Sequence, residues 1–112
     1  MATFSTNLVI YTHTDFEQTF LLEDNQSNSA KDLTGFTATC RMARSLNRAS
    51  GGVRSFNVSF TNRLLGKIRI GMTAAQTAQH PPDKYFYELM LTDPDGKVEK
   101  VIEGIAIVKQ PV

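Results

Sequence analysis

The chain has 112 residues, of which 41% are apolar, with 12 basic and 11 acidic side chains and one cysteine. This length is one domain with a single core. The near-balanced charge favours no class of partner, one thiol cannot form an intrachain disulfide, and no apolar run approaches the ~20 residues of a membrane span. The amino terminus lacks the basic and apolar segments of a signal peptide, so the expectation is a soluble protein that folds in a cytoplasm. Asn25-Gln26-Ser27 and Asn57-Val58-Ser59 then read as chance matches to the glycosylation pattern.

Strand-like segments dominate the chain. Asn7–Thr12 is a short apolar run, and Phe16–Leu22 alternates with Phe16, Gln18, Phe20 and Leu22 on one face. Glu23–Lys31 is polar and small, a loop by composition. Over Phe36–Arg44 the period is two: Phe36, Ala38, Cys40 and Met42 face one way, and Thr37, Thr39, Arg41 and Ala43 the other. Ser45–Ser55, with Gly51-Gly52, reads as a mobile connection. Phe56–Phe60 and Lys67–Met72 are two further strands, joined by a hairpin-length loop over Asn62–Gly66.

Thr73-Ala74-Ala75-Gln76 has the form of a capping box and predicts one or two helical turns over Ala74–Gln79, ended by Pro81-Pro82. Tyr85, Tyr87, Leu89 and Leu91 form one face of the next strand, and Phe86, Glu88, Met90 and Thr92 the other. Asp93-Pro94-Asp95-Gly96 is a tight-turn signal. The last run, Val98–Val108, carries apolar residues on both faces, with Gly104 as a candidate bulge or point of close backbone approach. About seven strands with regular turn signals fit an all-β, immunoglobulin-like antiparallel β-sandwich with one short helical turn, spanning residues 1–112 as a single domain.

Catalytic and metal chemistry find little support. His13 and His80 sit in loop-like contexts and read as surface histidines. Cys40, on an inward strand face, reads as a small core hydrophobe rather than a ligand or nucleophile. The carboxylates cluster at turns. Asp93-Pro94-Asp95-Gly96 lacks the other acidic positions and closing glutamate of a calcium loop. Gly51-Gly52 has no following Lys-Ser/Thr and so makes no phosphate cradle. The expectation is therefore no enzyme activity, no metal and no cofactor.

Charge is distributed unevenly. Residues 41–69 hold Arg41, Arg44, Arg48, Arg54, Arg63, Lys67 and Arg69 and no acid, leaving five cations against eleven acids elsewhere. Protein–protein complementarity and a merely solvated face explain this equally well. Nucleic acid is disfavoured because the strand faces carrying these arginines lack aromatic residues for base stacking. Apolar residues on both faces of the last two strands (Phe86, Met90, Ile102, Ala106 and Val108) favour an oligomer. The candidate interface is accordingly Arg41, Arg44, Arg48, Arg54, Arg63, Arg69, Phe86, Met90 and Ile102.

Several segments in order resemble the small structural proteins of tailed bacteriophages. They are Asp15-Phe16-Glu17, then Asp32-Leu33-Thr34-Gly35-Phe36 followed by Arg41-Met42-Ala43-Arg44-Ser45, and Gly66-Lys67-Ile68-Arg69-Ile70. Met72-Thr73-Ala74-Ala75-Gln76-Thr77-Ala78, Tyr85-Phe86-Tyr87-Glu88-Leu89, the Asp93 turn and Glu103-Gly104-Ile105-Ala106-Ile107-Val108 continue the pattern. The resemblance covers roughly residues 7–108. It implies a virion component of the tail or baseplate, like the immunoglobulin-like modules at the amino termini of baseplate and tail-fibre proteins. Such a module would be assembled in the host cytoplasm and work by packing against protein partners, itself included. Leu33 and Phe36 would be core, Gly35 and Gly96 turn positions, and Thr73 a helix cap. A host-surface or glycan-binding module is the alternative, with Tyr and Asn side chains presented from the sandwich ends.

Overall fold

The computed structural model describes residues 4–23, 30–44 and 53–111. The polar loop expected over residues 23–31 and the connection over 45–55 fall largely outside them, as do Arg48, Gly51-Gly52 and Asn25-Gln26-Ser27. Two sheets face each other. The larger contains β1 (Phe4–Ser5), β2 (Leu8–Tyr11), β4 (Thr37–Ala43), β5 (Arg54–Ser55), β8 (Asp83–Thr92) and β9 (Val98–Lys109). Its order is β1 and β2 end to end along β9, then β8, β4 and β5. The smaller has the order β3 (Phe16–Leu21), β7 (Lys67–Met72), β6 (Asn57–Asn62). The chain is an all-β sandwich whose strand order is that of the immunoglobulin type.

The expected alternation is met where the strands are regular. Tyr85, Tyr87, Leu89 and Leu91 on β8, Cys40 and Met42 on β4, and Ile68, Ile70 and Met72 on β7 are all buried in one core. Leu33 is fully buried, and Phe36 packs at the margin with Lys31 over its ring at 5.5 Å. Phe56, where the chain crosses from the large sheet to the small, bridges the layers: its ring lies 6.1 Å from Phe16 and 6.3 Å from Tyr87.

Two points depart from a purely antiparallel sandwich of about seven strands. First, β1 and β2 both pair parallel with β9, in registers that put Phe4 opposite Ile102 and Leu8 opposite Ala106. Second, the register of β8 on β9 shifts between Leu89, which faces Ile102, and Met90, which faces Lys100. Val101 is the extra residue of this bulge, and both Val101 and Ile102 are buried. The bulge explains apolar residues at consecutive positions of the last strand without a partner chain. Ile102, Ala106 and Val108 are core residues, and Ile102 is not at an interface.

Gly104 lies where β1 gives way to β2. A side chain there would place its Cβ 1.8 Å from the Thr6 carbonyl oxygen. That oxygen accepts the Tyr87 hydroxyl at 2.7 Å, while Thr6 N–H donates to Glu103 O at 3.0 Å and Asn7 Oδ1 accepts Ile105 N–H at 3.1 Å. Close approach of the first strand to the last therefore requires glycine. The Asp93 turn closes as expected: Asp93 Oδ1 accepts from the N–H groups of Asp95 at 2.9 Å and Lys97 at 2.8 Å. Gly35 and Gly96 have φ of 80° and 90°. The loop at Asn62–Gly66 is a single 3-10 turn over Arg63–Leu65, started by the Asn62 side chain.

The capping box is complete. Thr73 Oγ1 accepts Gln76 N–H at 3.2 Å, and Gln76 Oε1 accepts Thr73 N–H at 2.8 Å. It starts α1 (Ala74–Thr77), one turn rather than two, and no described helix is long and apolar enough to cross a membrane.

Candidate interface on the large sheet

Side chains of β8 and β9 that do not enter the core stand on the outer face of the large sheet. The ladder places Phe86 opposite both Ile105 and Ala43, Glu88 opposite Glu103 and Arg41, and Met90 opposite Lys100 and Thr39. Across β9, Val9 faces Ile107 and Tyr11 faces Lys109. Val9, Tyr11 and Ile107 are 45%, 46% and 37% exposed, and Phe86, Met90 and Ile105 are half-buried. An apolar band thus runs from β2 across β9 to β8.

A charged row flanks this band. The Glu88 carboxylate, with 12% of its side chain exposed, lies 3.9 Å from Arg41 and 3.4 Å from Lys100. Lys100 also lies 3.3 Å from Glu103. Lys84 sits 5.6 Å from the centre of the Phe86 ring. Glu88 is shielded, but Arg41, Lys100 and Glu103 are 40–50% exposed, so each pair contributes about 1 kcal/mol or less. Their effect is to fix the row in place, so that the face offers ordered charge of both signs beside apolar surface. A shallow depression of about 430 Å³ follows the same face, with Arg41, Val53, Phe86, Glu88 and Ile105 on its walls.

The arginines contiguous in sequence are not contiguous in space. Of the described arginines, Arg41 alone shares a surface with Phe86 and Met90. Arg69 stands on the outer face of the small sheet, 3.9 Å from Glu17. Arg44, at the end of β4, is 3.3 Å from Asp83 and lies over the Tyr85 ring at 5.8 Å. Arg63 is part of the framework: its Nη1 donates to Leu33 O at 3.0 Å and Phe36 O at 2.7 Å, and its guanidinium stacks 3.8 Å from the centre of the Phe60 ring. Arg54 lies on β5 beside His80, at the α1 end of the sandwich, and Arg63 is at the other end. Among the described residues there is no continuous basic surface for a phosphate backbone.

Other candidates for chemistry also find definite places. Cys40 is buried and its thiol is pushed up to about 12 by burial, so it holds its proton at neutral pH. Burial likewise raises the Tyr87 phenol. With Tyr85 and Tyr87 in the core, Tyr11 is the one exposed tyrosine, and it lies on a strand rather than a sandwich-end loop. His13 is exposed, but His80 is 6% exposed and is not a surface histidine. The described residues include no group of three or more His, Cys, Asp or Glu placed to hold a metal.

The face was partly visible in the alternation of β8, which puts Phe86, Glu88 and Met90 together. Lys100, Glu103, Ile105 and Ile107 were missed because the bulge at Val101 breaks the alternation of β9. No family model matches the chain, and a search of curated proteins finds no match either.

Proposed function

We propose that this protein is a structural module of a tailed-phage virion, a tail or baseplate component that acts by packing against copies of itself and has no catalytic role. The observation that carries the reading is the outer face of the large sheet, where Phe86, Met90, Ile105, Val9 and Ile107 lie beside Arg41, Glu88, Lys100 and Glu103. A face with an apolar band and both signs of charge suits a self-complementary contact, in which each copy sets its acids against the other's bases. The ordered resemblance over roughly residues 7–108 supports placement in a virion.

The test is solution mass by light scattering for the wild type and Phe86→Glu. The wild type is expected to exceed the 12.4 kDa of one chain, and Phe86→Glu to return to it with an unchanged circular-dichroism spectrum. A wild type that stays monomeric at both low and high salt would sink self-packing through this face.

A further inference from the structure

The small sheet ends in an edge that the face contact does not use. Among the described residues β3 pairs with β7 alone, along its whole length and without a bulge. The ladder continues past β3, with Leu22 N–H donating to Gly66 O at 2.9 Å. In an antiparallel pair, residues bonded to the neighbour alternate with residues whose N–H and C=O point away. Phe16, Gln18, Phe20 and Leu22 are therefore turned to β7, and Glu17, Thr19 and Leu21 to the open side. The Thr19 carbonyl takes its hydrogen bond from the neighbouring side chain, Gln18 Nε2 donating at 3.2 Å. All three open residues are exposed, Leu21 at 63%. After β3 the chain returns on the β7 side: Lys31 N–H donates to Leu22 O at 2.9 Å, and a side chain at Gly66 would meet the Lys31 backbone.

Other edge strands are blunted. The β6 register shifts between Phe60 and Asn62, β2 has four residues and β5 has two. No proline, lysine or bulge protects β3. The strand is also self-complementary. A two-fold axis through Thr19 sets Thr19 against Thr19 of a second copy, and Glu17 against Leu21 at both ends. All three open residues then fall in hydrogen-bonded positions, giving about six backbone bonds. The two Glu17 carboxylates stay about four residues, or ~13 Å, apart along the strand, beyond a Debye length of about 8–10 Å. On the core side Phe16 and Phe20 are half-buried at the rim, and the added strand covers them with Leu22 and Gln18 of the second copy.

We infer that β3 is a second self-association site, at which two copies join three strands each into one continuous sheet. The inference rests on the face contact proposed above, because a single strand pair buries less than the roughly 1,000 Å² of a stable interface. Face-paired copies carry two such edges. Alternating face and edge contacts close into an even-numbered ring, and the last edge is made intramolecularly.

Light scattering of the full chain from about 20 μM to about 1 mM tests the edge. The wild type is expected to reach about four times the 12.4 kDa of one chain, or more. Thr19→Pro removes an outward donor, leaves the bonds to β7 in place, and is expected to stop at two chains. Leu21→Glu sets a carboxylate against Glu17 of the second copy in both outer pairs and is expected to stop there too. Adding Glu17→Lys makes each of those pairs attractive and is expected to restore the larger species, which separates pairing from folding. A wild type that stops at two chains, or Leu21→Glu that assembles as the wild type does, would overturn the edge and leave the face contact standing. A monomeric wild type would overturn both. A Phe86→Glu protein that still pairs, and loses this on adding Thr19→Pro, would support the edge and count against the face.

Discussion

Single residues act in this molecule mainly by permitting or forbidding close approach. Gly104 permits it: the Thr6 carbonyl occupies the space of a side chain, and the Tyr87 hydroxyl is satisfied only while Thr6 stays there. In Gly104→Ala the first strand must move away from β9, which strands a buried phenol and disturbs the parallel pairing on both sides. We expect a loss of about 2–3 kcal/mol, read as a lower denaturant midpoint. A loss under about 0.5 kcal/mol would mean that the first strand contributes little to stability. Arg63 shows the opposite relation between sequence and role. It belongs to a cationic run that suggests an outer surface, yet its guanidinium joins two backbone carbonyls and a ring within the fold. Composition counted it as free surface charge because a guanidinium bonded to backbone carbonyls and one surrounded by water look the same in a sequence.

At the scale of elements, local signals succeeded and phase-dependent ones failed. Thr73, Gln76, Asp93 and Gly96 act on neighbours a few residues away, so their roles could be read without the fold. The capping box also anchors α1 to the turn before β3: Asp15 Oδ1 accepts Ala74 N–H at 2.8 Å, and Thr77 Oγ1 donates to Thr14 O at 2.8 Å. Thr73→Ala is expected to cost about 1 kcal/mol and Thr73→Ser to recover most of it, as measured by thermal unfolding. Equal midpoints for wild type and Thr73→Ala would show that the contacts to Thr14 and Asp15 alone hold the turn. The strands of β4, β7 and β8 were legible because their alternation is unbroken. The last strand was not. One extra residue at Val101 moves every later side chain to the other face, so the alternation seemed to describe a strand apolar on both sides. The same slip concealed half of the candidate interface. The pocket at the α1 end was concealed for a different reason: Arg54 and His80 are 26 positions apart and come to line one pocket only when β5 folds back beside the end of α1.

At the scale of the whole molecule, ionisable groups are spread so that few of them tie stability to pH. Asp32 is held below the usual carboxylate range by the Thr34 hydroxyl, which donates to it at 2.6 Å, but it is fully exposed. Its contribution is present above pH 3.8 and is lost as pH falls through the lowered folded value. His80 works in a higher window. Loss of water around its ring, and then the charge of Arg54, lower its pKa in the folded chain below the ordinary 6.5. Above that pH both folded and unfolded chains hold a neutral ring, and His80 adds no slope. Below it the unfolded chain binds a proton that the folded chain resists, so stability falls with pH until the folded value is passed. In chloride buffer the thermal midpoint of the wild type should therefore decline as pH falls below about 6.5. His80→Phe keeps a ring against Tyr85 and removes the titration, so its midpoint should decline less over the same range. Parallel curves for the two proteins would place the acid sensitivity on another group. A flatter curve for His80→Phe would show that one buried ring sets the acid limit of the sandwich.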